Sequence, residues 1–223
     1  IHNHEGAFYG RNVIYSNLGF ETYTSVEYMY DVERNELGWV KDSELTQYII
    51  NDLESTDGRD FVFTVSVQPH GKYPSEYDGD EFISEGELNY KDSAQMEYYL
   101  SQIYETDAFI GELIEQLKQL EEKTVLVLYG DHLPGLRIDE DELQGSLYQT
   151  EYVIWSNFDI QREEKDLDAF RLTSEIYDIL GIDVGILPQY HIEFYGTDDY
   201  EKNLKMLEYD MLYGDKMAYG EAG

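Results

Sequence analysis

In "LVLYGDHLPGL", residues 126 to 136, an apolar strand-like run leads into Gly130, Asp131 and His132 before Pro134 and Gly135 break the chain. A carboxylate beside an imidazole is a ligand pair for a divalent ion such as Zn²⁺ or Mn²⁺, one donor hard and one borderline. The same dipeptide also suits a strand-end Asp that caps the next turn with an exposed His beside it. A second apolar run, "DFVFTVSVQ" (60 to 68), leads to His70 between Pro69 and Gly71. That His either works on a substrate or is simply an exposed turn residue. Arg11, in "GAFYGRNVIY", is one of few cations and stands among aromatics. Its guanidinium can grip a phosphate bidentately or pair with a local carboxylate. Asp107 falls on the apolar face of a predicted helix, either to orient a ligand or as a structural carboxylate. His2, His4 and His191 carry no spacing signal of their own.

The elements that must position these groups alternate in type. Residues 11 to 18 suit a short helix, 20 to 28 a strand, and 43 to 53 an amphipathic helix with Asp42 or Ser43 as its N-cap. Residues 60 to 68 are apolar on both faces, as a fully buried strand requires. Residues 75 to 92 form a polar, acidic excursion. A long helix follows over 93 to 121, with Ile103, Ile110, Leu113, Ile114, Leu117 and Leu120 at helical spacing. "KTVLVLYG" and "EYVIWSNF" are further strands, and residues 167 to 180 form a helix closed by Gly181. This order predicts an α/β layered fold with a largely parallel central sheet over residues 1–181. In such sheets ligands sit beyond the carboxyl ends of the strands, where His70, Asp131 and His132 fall. From Ile182 the pattern turns to short aromatic strands, a small α+β subdomain over 182–223.

Bulk composition narrows the function classes. The 223 residues are enough for one domain with a small appendage. An apolar content of 42% with 22 Tyr argues against disorder. With 15 basic and 48 acidic residues the net charge is −33, which repels nucleic acid and attracts cations. The absence of Cys excludes disulfides, thiolate metal sites and thiol nucleophiles. No apolar run reaches the roughly 18 residues of a membrane span, and no signal peptide is present. The chain starts at Ile1, directly in patterned sequence, as a piece of a longer protein would.

Taken in order, several segments resemble the extracellular sulfatase-like domain of the lipoteichoic acid synthase family, in the alkaline phosphatase superfamily. They are "IHNHEGAFYGRNVIYSNLGF", "GWVKD", "FVFTVSVQPHGKYP", "YLSQIYETDAFIGELIEQLK", "VLVLYGDHLPGL", "YVIWSNF" and "YDMLYGDKMAYG". The resemblance implies a sulfatase- or alkaline-phosphatase-like fold of which this chain is the C-terminal part, the N-terminal part being missing. It implies that Asp131 and His132 bind the catalytic divalent metal, manganese in most of the family, with Mg or Zn as options. It implies that His70 contacts the substrate phosphate, that Arg11 grips the phosphate or phosphoglycerol group, and that His2 lines the pocket. Tyr9 stands where the polymerases usually have Trp, and His4 where they often have an acid.

The resemblance also implies an activity: transfer of phosphoglycerol from a phosphatidylglycerol-type lipid to a glycerol-phosphate polymer, on the outer face of a bacterial, Gram-positive cell membrane. The Thr nucleophile and a Glu metal ligand are expected upstream of Ile1, beside transmembrane helices that anchor the enzyme. No catalytic residue is therefore assigned within the chain, and Thr64, Ser66 and Thr106 are unconvincing substitutes. A sulfatase or a phosphoethanolamine transferase on the same fold is the nearest rival. A non-catalytic, acidic, cation-binding surface domain is the rival from another class.

Overall fold

The longest element, and the one that organises the core, is α3 (Tyr90–Leu117). It appears in a computed structural model that describes residues 1–79, 82, 90–138, 146–161, 163–183 and 185–220. Ala94, Tyr98, Phe109, Leu113 and Leu117 are buried along it, three of the steps being four residues, so they lie on one face. Against that face packs α2 (Leu45–Glu54) through Leu45 and Ile49, joined by Ile1, Met29, Leu126 and Trp155. Asp107 is exposed, because it stands two residues from Phe109 and so points away from the buried stripe. Ile103, counted with the apolar face, is also exposed at 37%. Half of the acidic excursion at 75 to 92, residues 80, 81 and 83–89, lies outside the described residues.

The short helix at the start is α1 (Arg11–Asn17), as the sequence predicts. The expected strand at 20 to 28 is instead extended chain that ends in a 3-10 turn, Val26–Tyr28. The 60 to 68 run is extended too, but Phe61 is 75% exposed and Ser66 is exposed, so it is not buried on both faces. Among the described residues, parallel pairing is limited to bridges of His2 with Ser25 and with Val65. Those bridges are held by His2 N donating to Thr24 O at 2.9 Å and Val65 N to Ile1 O at 3.0 Å.

Among the described residues the regular pairing is antiparallel, where a largely parallel sheet was expected. Strand β1 (Val125–Tyr129) runs against β2 (Tyr152–Ser156), with Val125 opposite Ser156 and Tyr129 opposite Tyr152. Apolar runs reveal burial but not strand direction, which long-range pairing decides. The register matters for chemistry, because the chain leaving Tyr129 is Gly130, Asp131 and His132. Thr150 Oγ1 would lie 2.3 Å from a Cβ at residue 130, so a side chain here would have to displace Thr150.

The described residues form two compact units, Ile1–Asn157 and Phe158–Gly223. The second is helical: α4 (Leu172–Leu180), α5 (Ile186–Phe194) and α6 (Tyr200–Leu212). Gly181 closes α4 in the left-handed conformation (φ 62°), as the sequence predicts. The expected short aromatic strands beyond Ile182 are α5 and α6. Their aromatics serve helix packing: Tyr190 stacks on Phe194, four residues on, at 5.1 Å, and on Tyr200 at 5.5 Å. No helix of the described residues is long and apolar enough to cross a membrane.

Candidate active site

The first unit gathers the candidate side chains from three separate stretches. Ile1–Asn3, bridged on both sides, holds His2 at 2% exposure. Its Nδ1 lies 2.8 Å from Val65 O. A carbonyl can only accept, so Nδ1 carries the proton and Nε2 keeps its lone pair. Arg11 Nη1 donates to that Nε2 at 3.3 Å. The turn before α1 makes this possible: Tyr9 (φ 54°) and Gly10 (φ 68°) are both left-handed, and they reverse the chain so that Arg11 opens the helix. The guanidinium lies 5.4 Å from the Tyr9 ring centre and 5.9 Å from that of Phe8. Tyr9 itself is 74% exposed. Among the described residues, no carboxylate lies within ion-pair distance of Arg11, so the ordinary fate of an Arg in so acidic a chain is not met here.

From His2 a run of rings leads to the end of β1. His4 lies 5.7 Å from His2 and 4.9 Å from both Phe8 and Trp39. Trp39 lies 6.1 Å from His70, and His70 lies 5.6 Å from His132. His70 and His132 repeat the pattern of His2. Their Nδ1 atoms donate to the carbonyls of Gly71 at 2.5 Å and Leu133 at 2.9 Å, which leaves each Nε2 free for a ligand. His132 Nε2 lies 3.7 Å from Asp131 Oδ1, with both side chains mostly exposed. Two acceptors facing each other favour a cation between them. One ion can touch both, because ligand distances of about 2.0–2.2 Å span that gap. The donor set fits a divalent metal, though no group of three or more metal-ligating side chains converges among the described residues. Beside the pair a cleft of about 230 Å³ opens against residues 147–150.

His2, Arg11, Tyr9, His70, Asp131 and His132 are thus linked within the first unit, and Asp107, exposed on α3, takes no part in these contacts. His191 belongs to the second unit, where its Nδ1 meets the Tyr200 hydroxyl at 2.6 Å. Thr106 is committed elsewhere, donating to Asp42 Oδ2 at 3.0 Å. Trp39 and Asp42 carry roles that spacing does not reveal. Trp39 bridges His4 and His70. Asp42, which the sequence offers with Ser43 as alternative N-caps of α2, makes no cap bond and is fully buried. The local signal is an acid three residues after Trp39, and it reads equally well as a helix start.

Burial pushes the His2 imidazole down from 6.5 to about 4, and the nearby Arg11 charge adds to this. Between those values the unfolded chain binds the extra proton and the folded chain does not. Stability should therefore be complete above pH 6.5 and fall as pH drops towards 4, by on the order of 2 kcal/mol from this group. His2→Gln, which stays neutral and can still donate to Val65 O, should flatten that part of the profile. Urea midpoints for both proteins from pH 7 to 4 check this. Parallel slopes would mean that His2 does not titrate as described.

The Sulfatase family profile matches residues 1–182. Two proteins of Rhizobium meliloti (strain 1021) are similar to the chain. One is assigned to cyclic beta-1,2-glucan modification and is 27% identical over 175 residues, 70% of this chain and 27% of that protein. The other, capsular polysaccharide biosynthesis protein RkpI, is 28% identical over 140 residues, 61% of this chain and 24% of that protein. The chain therefore spans about a quarter of the length of these relatives. The phosphoglycerol transferase GacH of Streptococcus pyogenes, solved in complex with sn-glycerol-1-phosphate, superposes with a TM-score of 0.78 at 22% identity. That match covers 94% of this chain and 59% of the GacH chain, and it establishes a shared, partial α/β fold.

Proposed function

Because the chain belongs to the sulfatase family, we propose that it is part of a metal-dependent phosphoglycerol transferase, membrane-anchored and outward-facing. The observation that carries this reading is Arg11. In a chain of 48 acidic residues it pairs with none of those described, and it points its charge at a neutral imidazole beside two further His residues. A cation kept free of carboxylates in this way is available for an anionic ligand. Arg11 and His70 would hold the phosphate, His2 would orient the guanidinium, and Tyr9 would face the glycerol. Asp131 and His132 would hold the divalent ion, manganese by resemblance, which supplies stabilisation of charge on the phosphoryl oxygens. The attacking Thr and a further acidic ligand would come from a segment outside residues 1–223.

A saccharide acceptor is favoured over a glycerol-phosphate polymer by the two Rhizobium relatives, whose names concern a glucan and a capsular polysaccharide. The test uses the full-length protein in membranes with phosphatidylglycerol labelled in its head group. The label should move to an added oligosaccharide in the presence of Mn²⁺. Release of sulfate from a sulfate ester, with no movement of the label, would overturn the reading in favour of a sulfatase.

A further inference from the structure

Asp42 is 0% exposed, and its carboxylate accepts four hydrogen bonds from three separate segments. Oδ1 accepts from Asn3 Nδ2 at 2.8 Å, Gln68 N at 3.2 Å and Val67 N at 3.3 Å. Oδ2 accepts from Thr106 Oγ1 on α3 at 3.0 Å. Its own N–H donates to the Gln68 side chain at 2.7 Å. Asn3 stands between His2 and His4, and Gln68 stands two residues before His70. We propose that Asp42 is the positioning residue of the phosphate clamp, fixing the His2 strand and the His70 turn against α3 in a single geometry. The proposal rests on the clamp described under Proposed function.

The physical argument is one of specificity over stability. An apolar group would fill this volume without the desolvation that burial imposes on a carboxylate. Burial pushes the Asp42 carboxyl up, and the donors from Asn3, Gln68, Thr106 and Val67 pull it back. What the carboxylate supplies is a set of directed bonds that fail together if either segment shifts. Among the described residues the two segments share no regular sheet: they meet at one bridge, His2 with Val65, beside which Ile1 N donates to Phe63 O and His2 Nδ1 to Val65 O, each at 2.8 Å. Asn3 donates its other bond to Val40 O at 3.0 Å, so the residue between the two histidines is held entirely by the segment that carries Asp42. Reaction geometry tolerates little error: a misplacement of about 1 Å can cost about 100-fold in rate.

The 223-residue chain, labelled with ¹⁵N, tests this with Asp42→Ala, Asp42→Asn and Asn3→Ser. The readouts are the imidazole nitrogen signals of His2 and His70, and titration with sn-glycerol-1-phosphate. Asp42→Ala should lose the Nδ1–H signature of His2 and bind sn-glycerol-1-phosphate at least about tenfold more weakly. Signals of residues 158–220 should stay in place. In Asp42→Asn the carboxamide oxygen can take the three N–H donors and the NH₂ can donate to Thr106 Oγ1, so both readouts should be largely rescued. Asn3→Ser cuts only the link to the His2 strand, so it should disturb His2 and spare His70. If Asp42→Ala does not fold, the other two variants decide. An unaltered His2 signature in Asn3→Ser, or in folded Asp42→Ala, overturns the proposal. If the unaltered chain does not bind sn-glycerol-1-phosphate, the clamp is wrong, and the imidazole signals still judge Asp42.

Discussion

Arg11→Ala in the full-length protein is expected to reduce phosphoglycerol transfer on the order of 100-fold, with most of the loss in kcat. The reason is the timing of charge. Phosphoryl oxygens gain negative charge as the reaction proceeds, so a guanidinium aimed at them contributes more at the transition state than in the bound substrate. Arg11 would suit this role, since it has no competing carboxylate among the described residues and its Nη1 donates to His2 Nε2 at 3.3 Å. Arg11→Lys keeps the charge but loses the planar fork, so its rate should fall between the two. His70→Ala should behave like Arg11→Ala, because His70 Nδ1 is tied to Gly71 O and its Nε2 is free. Steady-state rates with labelled phosphatidylglycerol decide the matter. If Arg11→Ala and His70→Ala both run within a fewfold of the unaltered enzyme, the phosphate does not sit where these residues converge.

Mn²⁺ is expected to bind the 223-residue chain weakly, no tighter than micromolar, and to be lost altogether in Asp131→Ala. A catalytic site of this type normally has three protein ligands and an open position. Here Asp131 and His132 face each other at 3.7 Å, and no third ligand joins them among the described residues. Calorimetric titration of the chain measures the first expectation independently of activity. In the full-length protein, Asp131→Ala should abolish transfer, and added Mn²⁺ should not restore it. Sub-micromolar binding by the chain alone would mean that further ligands lie within residues 1–223. Binding unchanged in Asp131→Ala would place the metal elsewhere.

Local chemistry made many of the candidate side chains legible. Asp131 and His132 could be placed because a strand must end where Gly130, Pro134 and Gly135 interrupt an apolar run, and β1 ends at Tyr129. Arg11 could be singled out by scarcity, as one of 15 basic residues facing 48 acidic ones. Asp107 was misplaced by a helical register that took Ile103 as buried, although both are exposed. Asp42, one of two N-cap candidates beside Ser43, shows that a cap and a buried hub have the same local signature, an acid ahead of a helix. Nothing in the neighbouring residues announces donors that arrive from residues 3, 67, 68 and 106.

The sequence by itself determined the α/β class, the helices α1 to α4 and the glycine stop at Gly181, and it supplied the candidate site residues. Each of these depends on interactions within a few turns of chain, where periodicity, capping and backbone freedom act. Only the tertiary structure decided that β1 and β2 pair antiparallel, that the aromatics beyond Ile182 pack between helices, and that a line of rings joins His2 to His132 through Trp39. Strand direction, ring contacts and the Asp42 hydrogen bonds join residues that are tens of positions apart, and no local preference encodes which distant partner a group will meet.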